Sequence, residues 1–210
     1  MQKPYDIAQV WDPCFINNLV QALVEALEAK DTYIQGHTRR VAEISLAIGA
    51  QMKLSQIELR DLYAGAILHD IGKAVGTTEA TLNKPDSLDQ REEIIMREHP
   101  LKAGLMIVGL ENLSHILPTI MHHHERWDGT GYPARLKDES IPLHARIICV
   151  ADAFDAMVSP RSFRPAMTRE EAVVEMEKEK EKHFDPDIVD VLIACLEENR
   201  HEWKDFSYYF

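Results

Sequence analysis

Cysteine, positive charge and long apolar runs are all scarce in this chain of 210 residues, and each scarcity closes off a class of protein. The three cysteines, Cys14, Cys149 and Cys195, are odd in number and widely spaced. They supply neither a disulfide framework nor a Cys-x-x-Cys metal knuckle, and a reducing, cytoplasmic setting is the expectation. The formal net charge is −12, whereas domains that grip nucleic-acid polymers carry a basic footprint. A small anionic ligand stays admissible, because a few Arg, Lys or metal ions reverse the sign locally. No run of 18 apolar residues exists, so a membrane-spanning helix is not expected. The opening MQKPYDIAQVWDP has acids and no apolar core, which does not read as a signal peptide. Internal repeats and low-complexity linkers are also missing.

What is present is helical periodicity, with 45% apolar residues to build a core. Phe15, Leu19, Leu23 and Leu27 recur every four residues and predict a first helix; Val41, Ile44 and Ile48 predict a second. Ser55 with Glu58 reads as a capping box, with Leu54 and Leu59 as its staple, opening a helix that runs to about Lys73. Further helices are expected over roughly 88–98, ending at His99-Pro100, and over 101–108 and 112–122. Asp128-Gly129, Gly131 and Pro133 mark a loop. His144 to Val158 reads as a buried helix, with the short run RIICV the only argument for a strand. Thr168 with Glu171 makes another capping box, and Asp185-Pro186 opens the last helix. The run EKEKEK, Glu177 to Lys182, reads as an extended solvated helix face with pairs such as Glu177 and Lys180. The expected fold class is all-α. The expected organisation is an N-terminal helical extension at 1–30, one domain at 31–200 and an aromatic tail at 201–210.

Ten histidines are present, three of them consecutive at His122, His123 and His124. His69-Asp70 stands in LHDIGK, and Asp152 stands in the apolar ICVADAFDAM. Neutral imidazoles and carboxylates are the ligands of hydrolytic iron, manganese or zinc clusters. Successive helical residues diverge by about 100°, so a His-Asp pair can grip two sides of a cluster and its carboxylate can bridge. Alone, His37 and His99 read as loop or capping residues, and His115, His144, His183 and His201 as ordinary surface or core histidines. Asp152 is harder to dismiss, since a buried charge is costly unless paired or metal-bound. Taken together, the His-Asp pair, the adjacent histidines and Asp152 point to a metal site.

LHDIGK, NKP, EHP, HHERWDGTGYP, IP-x-x-ARI and VADAFDA follow one another in the order found in HD-GYP domains, a branch of the HD phosphohydrolase superfamily, which the chain resembles over about 30–195. The resemblance implies an α-helical bundle holding two or three divalent metals, often iron or manganese. It implies hydrolysis of cyclic di-GMP to linear pGpG, and often on to GMP. Carried over, the metal ligands are His37, His69, Asp70, His99, His123, His124 and Asp152, with Asp70 bridging. Lys73 matches a lysine that faces a phosphate. Asp155, Arg161 and Arg164 match positions near the nucleotide, and Gly131 and Tyr132, with Pro133, shape the loop beside the site. His122 falls outside the motif.

Some positions depart from the family. Tyr33 stands where members with a third metal carry Glu, which favours two metals. AVGTTEATL follows HDIGK in place of a more usual segment, and Arg135 stands where Gly is expected. Besides a cyclic di-GMP phosphodiesterase, two readings stay open: a regulatory or protein-interaction module without catalysis, and a phosphohydrolase of another nucleotide such as a mixed cyclic GMP–AMP or an alarmone. A homodimer contact or a signalling partner is compatible with all three.

Overall fold

The computed structural model describes residues 36–198 apart from 79–80, 82–83, 85–88 and 161–164. The first predicted helix, Tyr33 and the aromatic tail lie outside the described residues. Among the described residues, eight α-helices follow in order: α1 His37–Gln51, α2 Gln56–Leu68, α3 Gln90–Arg97, α4 His99–Ile107, α5 Leu117–His122, α6 Leu143–Val158, α7 Arg169–Lys178 and α8 Pro186–Glu198. Short 3₁₀ turns lie at Ile71–Ala74, Glu111–Ile116 and Asp138–Ser140. Among the described residues, the only β pairing is an isolated bridge between Lys180 and Phe184. The all-α expectation holds.

Local chemistry sets most boundaries. Ser55 accepts from Glu58 N while Glu58 accepts from Ser55 N, and Thr168 with Glu171 repeats the arrangement. A third box, Asp89 with Glu92, opens α3. Asp185 caps α8 through Asp187 N and Ile188 N, and its other oxygen takes Arg146 of α6 at 2.5 Å, which ties the two helices together. The predicted strand alternative at RIICV is absent, because α6 runs through the middle of the core with Ile147, Ile148, Val150 and Ala151 fully buried. Burying each isoleucine or valine of this set contributes roughly 1.5–3 kcal/mol. Around α6 pack α1, α2, α5, α7 and α8.

Several boundaries differ from expectation, and each for a reason. The helix predicted to reach Lys73 stops at Leu68; His69 and Asp70 form a turn before the 3₁₀ segment. A Cβ at Gly72 would lie 2.0 Å from the His99 carbonyl oxygen, so glycine lets this turn press onto the start of α4. The chain does break before His99-Pro100, but His99 itself starts α4, with Glu98 shared between α3 and α4. The 112–122 helix is a 3₁₀ turn followed by α5, which opens on Leu117-Pro118. The EKEKEK reading is corrected: α7 ends at Lys178, Glu181 has φ 62°, and the chain doubles back. That reversal drives Phe184, 1% exposed, into the core. The Glu177–Lys180 pair does form, at 4.0 Å, and Lys180 also meets Asp190 of α8.

Candidate metal centre

The helix ends made by this packing converge on one point. His69 follows the last residue of α2, His99 follows the break after α3, and His123 follows α5. A helix C-terminus leaves carbonyls without intrahelical partners. Each histidine uses the carbonyl three residues back: Nδ1–H donates to Ala66 O at 2.7 Å, Met96 O at 2.7 Å and Ile120 O at 2.6 Å respectively. A carbonyl only accepts, so the proton stands on Nδ1 and each Nε2 keeps its lone pair for the centre. All three rings are essentially buried.

The seven residues expected as ligands fall into two adjoining groups. Asp70, His99, His123 and His124 form one, and His37, His69 and Asp152 the other, with the donor atoms of each group within 4.8 Å of one another. His69 and Asp70, consecutive in the turn after α2, fall in different groups, whereas the consecutive His123 and His124 share one. The Asp70 carboxylate spans them: Oδ1 is 3.2 Å from His99 Nε2, and Oδ2 is 3.4 Å from His69 Nε2. Lys73 Nζ donates to the same Oδ2 at 2.5 Å. Burial opposes ionisation of Asp70, but His69 and Lys73 outweigh it and hold the carboxyl well below the usual range.

Whether these residues suit a cation can be judged from their own geometry. His69 Nε2 and Asp70 Oδ1 are buried with no hydrogen-bond partner, a costly state for polar atoms. His99 Nε2 and His123 Nε2 face each other at 3.2 Å, both with Nδ1 already protonated. Two lone pairs at that distance repel unless a cation lies beside them. Burial and the neighbouring rings lower the His123 pKa, and burial with His99 pushes His124 down to about 3, so protons are poor occupants. The donor set fits divalent metal, and nitrogen with carboxylate oxygen is the mixture borderline hydrolytic metals take.

A family model for the HD domain matches residues 21–188. The chain belongs to the HD-domain family. As an HD-domain protein it is 36% identical over 188 residues to a cyclic di-GMP phosphodiesterase of Thermotoga maritima, covering 88% of this chain and 50% of that one. It is 35% identical over 173 residues to the cyclic di-GMP phosphodiesterase response regulator RpfG of Xanthomonas campestris, covering 81% and 46%. The chain therefore spans about half the length of these relatives. Among solved structures, a cyclic GMP–AMP-specific phosphodiesterase of Vibrio cholerae superposes with a TM-score of 0.68 at 26% identity, covering 87% of this chain and 49% of that one.

The loop after α5 completes the HD-domain site. Tyr132 stacks on His124 with ring centroids 5.0 Å apart, and the Arg97 guanidinium lies over the tyrosine ring at 5.3 Å. The Tyr132–Pro133 peptide is cis. A Cβ at Gly131 would lie 2.4 Å from Arg126 N, so only glycine lets the loop cross its own start. Sequence reasoning passed over the residue that fixes this loop. Glu125, 2% exposed, accepts from Ala134 N at 2.7 Å and Leu136 N at 3.1 Å. His122, outside both ligand groups, has Nδ1 3.3 Å from the same carboxylate. The signal available was an acid flanked by an expected ligand and a turn.

Asp155 has neighbours other than the expected nucleotide. It is buried, and its oxygens take His37 Nδ1 at 2.7 Å and Arg40 at 2.6 and 3.1 Å. Burial would lower the His37 pKa, but its bonds with Asp152 and Asp155 raise it to about 9. Arg161 and Arg164 lie outside the described residues.

Proposed function

We propose that the chain is the hydrolytic domain of a metal-dependent cyclic dinucleotide phosphodiesterase, with cyclic di-GMP as substrate and pGpG, then GMP, as products. The single observation that carries this reading is the pair of adjoining groups joined by Asp70, with His69 Nε2 and Asp70 Oδ1 buried and unpartnered between them. Two groups suit two divalent ions, iron or manganese in the first instance. The ions would be held by Asp70, His99, His123 and His124 on one side and by His37, His69 and Asp152 on the other. Bound there, two divalent ions would lower the pKa of a bridging water and neutralise phosphate oxygens.

The chain's own residues have definable parts. Asp70 holds negative charge between the groups, and its neighbour Lys73 sets one cation beside it where charge develops on a phosphate. Lys73 is partly exposed, so it can meet a ligand while it stays tethered. Tyr132 walls the site over His124 and offers an aromatic face to a base. Glu125 and Gly131 keep that wall in place. Arg161 and Arg164 are proposed as clamps on the second phosphate or a guanine edge, where a planar fork outperforms an ammonium.

A mixed cyclic GMP–AMP is the second reading. It is favoured by the 34% identity, over 86% of this chain, to a 3'3'-cGAMP-specific phosphodiesterase of Vibrio cholerae, a likeness close to that with the cyclic di-GMP enzymes. Anaerobic purification, metal analysis and chromatography of both dinucleotides beside Asp70→Asn test these readings. Two metals per chain with release of pGpG, lost in the variant, is the expected result. Faster cleavage of the mixed dinucleotide would move the substrate assignment. A fully metallated protein that binds nucleotide without cleaving it would leave a sensor module.

A further inference from the structure

His37 differs from His69, His99 and His123 in what its Nδ1 meets, although His99 too opens a helix. His37 is the first residue of α1, after Gly36 in the left-handed conformation. A helix N-terminus presents unpaired N–H donors and no spare carbonyl. His37 is oriented by a side chain rather than by the backbone device that orients His69, His99 and His123. Its Nδ1–H has its acceptor on α6, 118 residues away.

We propose that Asp155, clamped by Arg40, is the positioning residue for His37, holding its imidazole so that Nε2 faces the group made with His69 and Asp152. The inference rests on the metal reading given above. Oδ2 of Asp155 receives His37 Nδ1–H at 2.7 Å and Arg40 Nη2 at 3.1 Å. Oδ1 receives Arg40 Nε at 2.6 Å and Ser159 Oγ at 3.4 Å. The Asp155 side chain is 2% exposed, so its oxygens are spent inside the protein and none is presented to a nucleotide. His37 Nε2, on the far side of the ring, lies 3.3 Å from Asp152 Oδ1.

The sequence spacing makes the arrangement rigid. His37 and Arg40 are three apart on α1, and Asp152 and Asp155 are three apart on α6, so each pair shares one helix face. One face of α6 thus supplies both a ligand candidate and the carboxylate that aims its partner. Arg40 compensates a buried charge that would otherwise be costly. A carboxylate behind a metal-facing imidazole raises its basicity and fixes its tautomer, and loss of such a partner weakens metal affinity roughly 10–100-fold.

The test is calorimetric titration of metal-stripped protein with Mn²⁺, comparing wild type, Asp155→Asn and Arg40→Lys. Wild type is expected to show two binding events. In Asp155→Asn one event weakens about 10–100-fold while the other holds. Arg40→Lys, which keeps the charge and loses the fork, weakens the same event by a smaller factor. Activity of Asp155→Asn should recover at high Mn²⁺ with KM unchanged. Unchanged Mn²⁺ affinities with a raised KM would make Asp155 a nucleotide contact and overturn the proposal. Unchanged affinities with only a lower melting temperature of the stripped protein would overturn it too, leaving a structural pair. The His37 Nδ1–H proton resonance separates this proposal from the reading beneath it. If wild type takes up no Mn²⁺ yet shows a slowly exchanging resonance that Asp155→Asn lacks, the metal reading fails and the contact stands. If wild type lacks that resonance, the positioning proposal fails whatever the metal does.

Discussion

The two ligand groups reach similar chemistry by opposite means. In the group of Asp70, His99, His123 and His124, two imidazoles are aimed by backbone carbonyls at helix ends. In the group of His37, His69 and Asp152, His69 is aimed that way, but His37 depends on a carboxylate and a guanidinium from two helices. A backbone acceptor survives any side-chain change and moves only if its helix end moves. A side-chain acceptor can be deleted by one substitution. The first group is therefore sensitive to packing and the second to charge.

The largest expected effect erases the comparison altogether. Asp70→Asn removes the carboxylate that touches both groups, and phosphodiesterase activity should fall about 10³-fold or more, the scale of losing a preorganised electrostatic contact; metal content per chain should fall with it. Next, His123→Ala should abolish metal uptake by the first group, while His122→Ala should retain both metals within error, as measured by elemental analysis. Equal loss in both variants would contradict the division of the three histidines. Gly72→Ala sharpens the packing half of the comparison. Its Cβ collides with the backbone at His99, so denaturant melts should show destabilisation of about 1–3 kcal/mol, with metal affinity falling in the first group. The smallest effect is a control. Ser55→Ala removes the α2 capping box far from the centre and should cost about 1 kcal/mol, with both metal affinities unaltered by titration.

Elements closed by their own side chains were legible before folding. The capping boxes at Ser55 and Thr168 and the Asp185 cap all form as read, because a cap is a contact within three residues. Boundaries set by distant neighbours were not. The α2 helix ends early because Gly72 must meet α4, and the EKEKEK segment turns because Phe184 must reach the core; neither cause is visible in a local window. The site divides in the same way. Residue types and motif order picked out the seven residues that the chain gathers into the two groups. Its motif placed Asp155 near a nucleotide, whereas its buried engagement with His37 and Arg40 was not legible, since those partners lie 118 and 115 residues away. Glu125 looked like one acid in a loop until its two backbone donors were placed.

Periodicity, caps and motif order are properties of neighbouring residues, and they were enough to mark an all-α chain of the HD-domain family and the His and Asp residues that gather into two groups. How those residues divide into two groups, and which of them rest on backbone and which on side chains, followed from helix packing. It also turned Asp155 inward. His69, His99 and His123 take acceptors three residues back in the chain, while the Asp155 carboxylate that holds His37 lies on a helix that folding alone brings beside it.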